Sequence, residues 1–165
     1  MLWRFQRRNT RVPGRRSDVS DRRQYVPCFV DDLMVGIKVE DVQEVTSGSE
    51  LTHVPLAPPV VSGLLNLRGQ IVTAIDLRRC LQLCGRPEDQ RPVHLILRTD
   101  DGCVGLLVDQ VGDVLEVDDD DFEAPPKTLR GSLRELITGA YKLDGGLLLA
   151  LDTERALAFS SGEQT

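Results

Sequence analysis

The sequence predicts an all-β protein made of two small barrels or curled sheets. Its apolar residues fall in about ten short stretches with the two-residue period of half-buried strands. These stretches form two groups that repeat each other along the chain. Hydrophobic residues make up 41% of the 165 positions and aromatic residues only 4%, which indicates an aliphatic core. Each half has roughly 70 residues, which is small for an independent core, so we expect the halves to share one.

The first half predicts four strands, two turns and a short helix. The strands are residues 25–30, 33–39, 64–67 and 71–75. Asp31 and Asp32 lie between the first two strands, as in a hairpin. Residues 68–70 lie between the last two, and Gly69 can supply the positive φ that a tight turn needs. Asp76 then offers a side-chain oxygen to cap a helix over residues 77–83.

The second half predicts the same kinds of element in the same order. Its strands are residues 93–98, 103–108, 111–117, 137–143 and 147–151. The turns at residues 101–102 and 144–146 both contain Asp-Gly, a strong hairpin signal. Asp152 is expected to cap a terminal helix. Residues 84–92 form a polar connector between the halves, and the acidic run of residues 118–123 is expected to be a solvated loop because it lacks the spaced ligands of a calcium site.

Three pairs of segments carry the repeat. Residues 35–45 match residues 104–114 at five of eleven positions, with three further conservative exchanges. Ala-Pro-Pro then occurs at residues 57–59 and 124–126. Seven positions of the segment 63–76 match positions 76 residues later, within residues 139–152, five by identity and two by exchange of Ile for Leu. Three matches in the same order indicate duplication of one structural unit.

Residues 1–24 differ in composition from the rest of the chain. They contain eight arginines and two aspartates, a net charge of +6, whereas the whole chain carries −6 and residues 25–165 therefore −12. A segment with so much charge and a Pro-Gly break predicts disorder. Two interpretations remain open, a solvated tail and an anchor for an acidic partner surface. Residues 159–165 are expected to be a short tail. The chain shows no secretion signal and no apolar run of membrane-spanning length, so we expect a cytoplasmic protein.

The sequence shows no motif for catalysis, and we expect no enzyme activity, no cofactor and no metal. Phosphate-binding glycine loops and serine-nucleophile elbows are absent. Cys80 and Cys84 are spaced by one turn of the predicted helix, without a second pair to complete a zinc site. We expect buried, reduced cysteines at all four positions. His94 is expected to be a surface or core residue of its strand.

Arg68 is the one turn residue that the repeat comparison singles out. The second copy has Asp144 at this position, so the turn itself does not require arginine. Glu44, by contrast, aligns with Asp113, and an acid is common to both copies. Arg68 is therefore a candidate for partner contact, and a solvated turn residue is the alternative.

Several stretches in a fixed order resemble the CheW family of bacterial chemosensory adaptors. They are residues 42–45 (VQEV), 63–72 (GLLNLRGQIV), 75–78 (IDLR), 104–109 (VGLLVD) with Val111 and residues 113–115, 125–126 (PP) and 136–139 (LITG). The resemblance covers about residues 25–158. Asn-Leu-Arg-Gly followed by a strand and Asp-Leu-Arg is specific when the Val-Asp stretch also follows.

The resemblance implies a fold, a function and a set of partners. The fold would be two intertwined five-stranded SH3-like β-barrels sharing a hydrophobic core, with short helices. Members of the family bridge the cytoplasmic tips of chemoreceptors to the regulatory domain of the CheA histidine kinase, and they also join array rings. The matching partner-binding residues would be Val42, Glu44, Asn66, Leu67, Arg68, Gly69 and Val108. Glu44 and Arg68 would pair with each other, and Val42 and Val108 would line a groove between the lobes.

Two features of the chain have no counterpart in the family pattern. The aspartate run after residue 117 is more acidic than is usual there, and the Arg-rich arm cannot be placed. A different class of function therefore stays as an alternative, a small nucleic-acid-binding barrel that uses the basic arm. The net charge of −12 beyond the arm would repel phosphates and argues against it.

Overall fold

The computed structural model describes residues 22–159, which form two curled β-sheets and three short helices. The strands are β1 (Arg22–Val30), β2 (Leu33–Lys38), β3 (Val42–Ser47), β4 (Val61–Leu67), β5 (Gln70–Asp76), β6 (Val93–Thr99), β7 (Gly102–Val108), β8 (Gln110–Val111), β9 (Leu115–Asp118), β10 (Phe122–Glu123), β11 (Ile137–Leu143) and β12 (Gly146–Leu151). The helices are α1 (Leu77–Cys80), α2 (Gly131–Leu136) and α3 (Thr153–Ala158). The predicted all-β class with short helices is confirmed.

The two sheets have seven and five strands. The large sheet has the order β10-β11-β12-β2-β1-β8, and β9 also pairs with β1. The small sheet has the order β3-β6-β7-β5-β4. Because β8 and β10 are only two residues long, five longer strands build each sheet.

The division into sheets does not follow the division into repeats. The hairpin β1–β2 comes from the first half of the chain, but it lies in the large sheet with β8 to β12 of the second half. The hairpin β6–β7 comes from the second half and lies in the small sheet with β3 to β5. Each repeat has thus placed its first hairpin in the sheet of the other. Sequence periodicity identified the hairpins but not this exchange.

The repeated glycines of β2 and β7 allow the exchanged hairpins to join their sheets. β2 pairs in parallel with β12, where Gly36 lies opposite Ala150. β7 pairs in parallel with β5, where Gly105 lies opposite Ala74. A Cβ atom on Gly36 would lie 3.0 Å from Leu148 Cγ, and one on Gly105 would lie 3.1 Å from Leu65 Cδ2. A side chain at either position would force the neighbouring leucine to shift, so glycine in both copies lets these strands pack closely.

One aliphatic core joins the sheets. Its buried residues come from both, among them Val35 and Leu149 of the large sheet and Ile75, Leu95 and Leu106 of the small one. A shared core of this kind confirms the prediction made from the size of the halves.

Only two of the four cysteines are buried. Cys28 and Cys80 lie in the core, and burial raises the pKa of each thiol to about 12. Cys84 is exposed and Cys103 is half-buried, so the expectation of four buried thiols is wrong. All four are free thiols.

Helix α1 is shorter than the sequence predicted. Asp76 caps it as expected, since its Oδ1 accepts a hydrogen bond from the Arg78 backbone N–H at 2.9 Å. The helix nevertheless ends at Cys80, and Gln82 has a φ of 56°, in the left-handed region. Hydrophobic spacing alone does not indicate this left-handed residue. Because the helix ends at Cys80, the prediction that Cys80 and Cys84 lie one helical turn apart is wrong.

Strand pairing also extends further than expected at two places. β1 begins at Arg22, so Arg22, Arg23 and Gln24 belong to the sheet and not to a disordered arm. The earlier part of the predicted arm lies outside the described residues. At the other end of the domain, Phe159 packs against the core, and the rest of the predicted tail lies outside the described residues. The predicted strand 111–117 is split into β8 and β9, both paired with β1.

The aspartate run is largely exposed, as predicted, but it has regular structure instead of forming an irregular loop. Asp118 ends β9, and its Oδ1 accepts a hydrogen bond from the Asp120 backbone N–H. A single 3-10 turn over Asp119–Asp121 leads into β10, which pairs with β11. The run therefore forms an acidic turn between β9 and β10, at a corner of the large sheet.

Candidate functional site

The β4–β5 turn holds an arginine in an unusual backbone conformation. Arg68 and Gly69 are its two central residues, with φ of 52° and 84°. Two successive positive φ values are typical of a type I′ turn, which favours Asn-Gly. Asn66 supports the turn, because its Oδ1 accepts a hydrogen bond from the Gly69 backbone N–H at 2.9 Å. Gln70 lies in β5, so the turn is one residue shorter than predicted.

Arg68 forms an ion pair with Glu44 of β3. Arg68 Nη2 donates to Glu44 Oε2 at 2.9 Å. The Arg68 side chain is 80% exposed and that of Glu44 only 22%. An exposed pair of this kind contributes about 0–1 kcal/mol to folding, so its main effect is to orient the guanidinium.

Glu44 retains an unused acceptor. Its Oε1 is buried and has no hydrogen-bond partner among the described residues. The guanidinium also carries further N–H donors that face solvent. Beside the turn, Ile71 is an apolar side chain with 67% of its surface exposed. Charge, hydrogen-bonding groups and apolar area thus occur together, as at the centre of protein interfaces.

The structure brings some predicted site residues together and separates others. Asn66, Arg68 and Gly69 share one turn, with half-buried Leu67 between them. Val42 begins β3 and is half-buried against the core. Val108 has no exposed surface at all. The expectation that its side chain lines a groove is therefore wrong for this structure, because the side chain is a core residue.

A groove of about 1240 Å³ does lie between the two sheets, with other residues lining it. We call it the inter-sheet groove. Phe122 lines it with an exposed ring, whereas the neighbouring rings of Tyr25 and Tyr141, 5.4 Å apart, are almost fully buried. Six acidic residues form an acidic rim around it: Asp41, Asp100, Asp101, Asp119, Asp152 and Glu154. Three basic residues also line the groove.

A buried charge cluster holds the connector between the halves, and sequence analysis missed it. Asp109, directly after β7, accepts hydrogen bonds from Arg78 at 2.6 Å and from Arg86 at 3.1 Å. Its Oδ2 also accepts the Asp31 backbone N–H of the β1–β2 turn at 2.8 Å. Arg86 further contacts Asp76 at 3.4 Å. We call these four side chains, Asp76, Arg78, Arg86 and Asp109, the charge cluster.

Opposing effects act on the pKa of Asp109. Burial raises it, but hydrogen bonds from Arg78 and from the Asp31 backbone, with the charges of Arg78 and Arg86, outweigh burial and lower the pKa below its ordinary value. The same hydrogen bond raises the pKa of Arg78. Both groups are therefore ionised at neutral pH, and the cluster ties β7, α1, the connector and the β1–β2 turn together. Arg86 stands in a polar connector, where composition gave no signal of burial.

His94 of β6 is a buried titratable residue outside the charge cluster. It is 2% exposed, and its Nδ1 has no hydrogen-bond partner among residues 22–159. Burial, and then the charge of Arg86, lower its pKa. It is a core residue, one of the two outcomes expected. Within the same residues, no three His, Cys, Asp or Glu side chains are grouped so that they could hold a metal ion.

Comparison with known proteins identifies the family. A model of the CheW-like domain matches residues 24–160. The chain belongs to the CheW-like domain family. This confirms the resemblance seen in the sequence, and the match begins close to the start of β1.

Relatives of the CheW-like domain cover most of this chain. The chemotaxis protein CheW of Treponema pallidum is 28% identical over 157 residues, covering 93% of this chain and 90% of that protein. The chemotaxis protein CheW of Klebsiella aerogenes is 32% identical over 123 residues, covering 74% of each. The crystal structure of the scaffolding protein TtCheW from Thermoanaerobacter tengcongensis superposes with a TM-score of 0.70 at 25% identity, covering 79% of this chain and 88% of that one.

These relatives confirm two predictions made from the sequence. The fold is that of the CheW scaffold, with its pair of SH3-like barrels. The function they support is that of a chemotaxis coupling adaptor, and none of the three relatives supports the nucleic-acid-binding alternative. Separately, no helix in the described part of the chain is long and apolar enough to cross a membrane.

Proposed function

We propose that this CheW-like protein couples the cytoplasmic tip of a chemoreceptor to the regulatory domain of a CheA-type histidine kinase, and that the Arg68 turn is a contact surface for these partners. The protein would act in the cytoplasm at membrane-bound receptor arrays, without catalysis of its own. The family and the adaptor relatives support the coupling role. The observation that carries the choice of site is the conformation of Arg68.

An exposed arginine with positive φ is a poor choice for stability alone. A non-glycine residue in the left-handed region costs about 1–2 kcal/mol, and glycine or asparagine would avoid that cost. The ion pair with Glu44 offsets about 0–1 kcal/mol of it at most. The remaining cost is consistent with a residue kept for contact rather than for folding.

The geometry also suits recognition of a charged or amide-rich partner. Glu44 fixes one edge of the Arg68 guanidinium and leaves the other edge to solvent. A planar guanidinium held in one orientation can donate two parallel hydrogen bonds to a carboxylate or to backbone carbonyls. Arginines of this kind are frequent among the residues that dominate protein interfaces.

The test is the substitution Arg68→Glu, measured against two partner fragments. We expect the fold to persist, because the side chain is exposed, and the affinity for a receptor-tip fragment or for the kinase regulatory domain to fall about 30-fold or more. A lost interface hot spot costs about 2 kcal/mol, and repulsion from the new carboxylate adds to it. Calorimetric titration gives the two affinities, and circular dichroism checks the fold.

Two further variants make this experiment specific. Arg134→Glu makes the same charge change at an exposed arginine of α2 and should leave both affinities unchanged. The double variant Glu44→Arg with Arg68→Glu restores the ion pair in reverse and should recover part of the binding if the pair acts by orientation. If both affinities of Arg68→Glu stay within twofold of wild type, the turn is not a contact surface.

A further inference from the structure

We propose that Leu56 is an apolar anchor residue that binds in a pocket on the regulatory domain of the kinase. The inference rests on the proposed coupling function and adds a contact residue outside the Arg68 turn. It is carried by three observations: the backbone conformation of Leu56, its complete exposure, and the rigidity of the loop that presents it.

Leu56 occupies a turn position that suits glycine or asparagine. Residues 54–57 form a β-turn, in which the Ala57 backbone N–H donates to the Val54 carbonyl oxygen at 3.4 Å. Leu56 is the third residue of this turn and has a φ of 63°. Proline followed by a residue with positive φ is typical of a type II turn, which favours glycine or asparagine at its third position. Leucine is therefore an unfavourable choice for the local backbone.

The Leu56 side chain contributes nothing to the packing of the core. With 103% of its reference surface exposed, it is the most exposed large hydrophobic residue in the described part of the chain. Neither the three core clusters nor the residues packed against them include it. Burial of an apolar side chain could offset the strain of its backbone, but an exposed leucine leaves that strain uncompensated. Burial against a partner would supply the missing compensation.

The second copy of the repeat shows that this position does not require leucine. Ala-Pro-Pro follows Leu56 at residues 57–59, and it follows Glu123 at residues 124–126. Glu123 lies in the extended strand β10 and does not have a positive φ. The apolar side chain and the left-handed backbone thus occur in the first copy alone. They are local features of this loop and not requirements of the duplicated fold.

The loop around the turn is fixed on both sides. Before the turn, Thr52 pairs with Leu64 of β4 through two backbone hydrogen bonds of 2.7 and 2.8 Å. After the turn, the Pro59 carbonyl oxygen accepts a hydrogen bond from Arg79 Nη1 at 2.8 Å. Proline occupies three of the five positions 55–59 and restricts the backbone further. A side chain presented by such a loop binds with a small loss of conformational entropy.

The surroundings of Leu56 indicate the chemistry of its partner. Pro55 and Pro59 of the same loop are exposed, and so is Arg79, which forms no ion pair among residues 22–159. A complementary surface has an apolar pocket with a carboxylate or carbonyl oxygen at its rim. A projecting side chain needs a concave pocket, which a folded domain provides and a convex receptor tip does not. The kinase regulatory domain is therefore the partner of Leu56.

Leu56 and Arg68 lie toward opposite ends of β4. The chain after Thr52 runs antiparallel to β4, toward its first residue, whereas the Arg68 turn follows its last. β4 has seven residues, and at about 3.3 Å per residue it spans about 20 Å. An interface of ordinary size buries about 800 Å² per partner, a patch roughly 30 Å across. Both side chains can thus belong to one interface, and at this separation their contributions are independent.

The variant Leu56→Asn tests the anchor in calorimetric titrations against the kinase regulatory domain. Asparagine keeps the branched shape of the side chain and tolerates the left-handed backbone, but it replaces both methyl groups by polar groups. We expect the affinity to fall about 10- to 100-fold, the ratio that corresponds to burial of a leucine side chain on binding. The midpoint of thermal unfolding should stay the same or rise, because the backbone strain is relieved.

Two further variants serve as controls. Leu56→Met keeps an apolar side chain of similar volume and should keep the affinity within about threefold of wild type. Leu147→Asn makes the same change as Leu56→Asn at a leucine of the second half that is 39% exposed. It should leave the affinity for the kinase domain unchanged.

Titration of a receptor-tip fragment in parallel separates the possible outcomes. If wild type binds both partners and Leu56→Asn binds the kinase domain within about twofold of wild type, the anchor is overturned and the coupling function stands. A loss confined to the receptor tip overturns the assignment to the kinase. Wild type that binds neither fragment overturns both the coupling function and the anchor. A lower unfolding midpoint of Leu56→Asn would show that the leucine serves folding, which also overturns the proposal.

Discussion

At the scale of single residues, Asp109 is the side chain on which the charge cluster depends. It is buried and accepts hydrogen bonds from two arginines and one backbone N–H. Buried ion pairs add little net stability over a well-packed apolar core, but removing one partner leaves the other charge buried and uncompensated. Arg86 already has one buried N–H group, Nη2, without a partner among the described residues. The cluster therefore has little capacity to compensate for a further loss.

We predict that Asp109→Asn lowers the free energy of unfolding by about 3–5 kcal/mol. The amide keeps the size of the side chain but removes the carboxylate that pairs with both Arg78 and Arg86, so that the Arg86–Asp76 contact at 3.4 Å is the ion pair of the cluster that remains. Urea unfolding followed by circular dichroism measures the loss. The control Asp113→Asn changes an exposed acid in the next loop and should cost less than 0.5 kcal/mol.

The same variant should change how stability responds to acid. The pKa of Asp109 is lowered in the folded state, so the folded form binds a proton less readily than the unfolded form. Its contribution is fully present above the ordinary value of 3.8 and is lost as the pH falls through that value and below. Wild type should therefore lose more stability than Asp109→Asn between pH 5 and pH 3. Parallel curves would contradict the role assigned to this carboxylate.

The sequence predicts the position of a residue well only when neighbouring residues determine that position, as a comparison of three residues shows. Arg68 could be proposed as a contact residue because its repeat partner is Asp144 and because it stands in a recognised motif. Val108 could not be placed correctly, since a strand residue near a lobe boundary can face a groove or the core, and only the folded sheet decides. Arg86 was missed because its burial results from long-range contacts with Asp76 and Asp109 rather than from its neighbours.

At the scale of elements, two repeated glycines mark the places where the sheets bend. The register of β4 and β5 shifts between Val61 and Gly63, and that of β11 and β12 shifts between Ile137 and Gly139. A Cβ atom at Gly63 would lie 2.6 Å from the Thr52 carbonyl oxygen. One at Gly139 would lie 2.6 Å from the Glu123 carbonyl oxygen. Another segment thus crosses each bend at a distance that only glycine permits.

We expect Gly63→Ala to destabilise the protein by about 2–4 kcal/mol, because overpacking against the Thr52 backbone adds to the cost of a φ of 153°. Thermal and urea unfolding measure the change. Gly145→Ala separates the two causes, since Gly145 has a φ of 104° but open space around it. It should cost about 1–2 kcal/mol. Equal losses at the two positions would show that the close approach to Thr52 contributes nothing.

Sequence patterns predicted most strands because alternation and turn residues are local signals. Residues 137–143 were predicted with the bounds that β11 has, and β4 to β7 were found within a few residues. Errors occurred where a contact far along the chain decides the structure. The pairing of β9 with the start of β1 orders Arg22 to Gln24, and it also places the aspartate run beside an arginine. The local sequence of neither β1 nor β9 indicates that these two strands pair.

At the scale of the whole molecule, the exchanged hairpins make the two sheets one folding unit. The large sheet depends on β1 and β2 of the first half, and the small sheet depends on β6 and β7 of the second. The core includes residues of both sheets, and the charge cluster fixes the connector between the halves. Neither half of the sequence contains a complete sheet.

We therefore predict that fragments 1–87 and 88–165 are each unfolded alone and form native structure when mixed. The intact chain should unfold in one transition that is the same for probes in either sheet. Circular dichroism of each fragment and of the equimolar mixture tests this. A fragment that shows native-like sheet signal and a cooperative melt alone would contradict the exchange as a requirement for folding.

The parallel pairing of β2 with β12 also determines how early the large sheet can form during synthesis of the chain. Val35 of β2 pairs with Leu149 of β12, which is synthesised 114 residues later. At ~5–20 residues per second, this pair can form only about 6–23 s after Val35 is added to the chain. During that time, the edge of the first hairpin that later binds β12 has no native partner, and such an edge can recruit another extended chain. The duplicated fold thus assembles only after nearly the whole chain is synthesised, and chaperone protection matters most for its earliest strands.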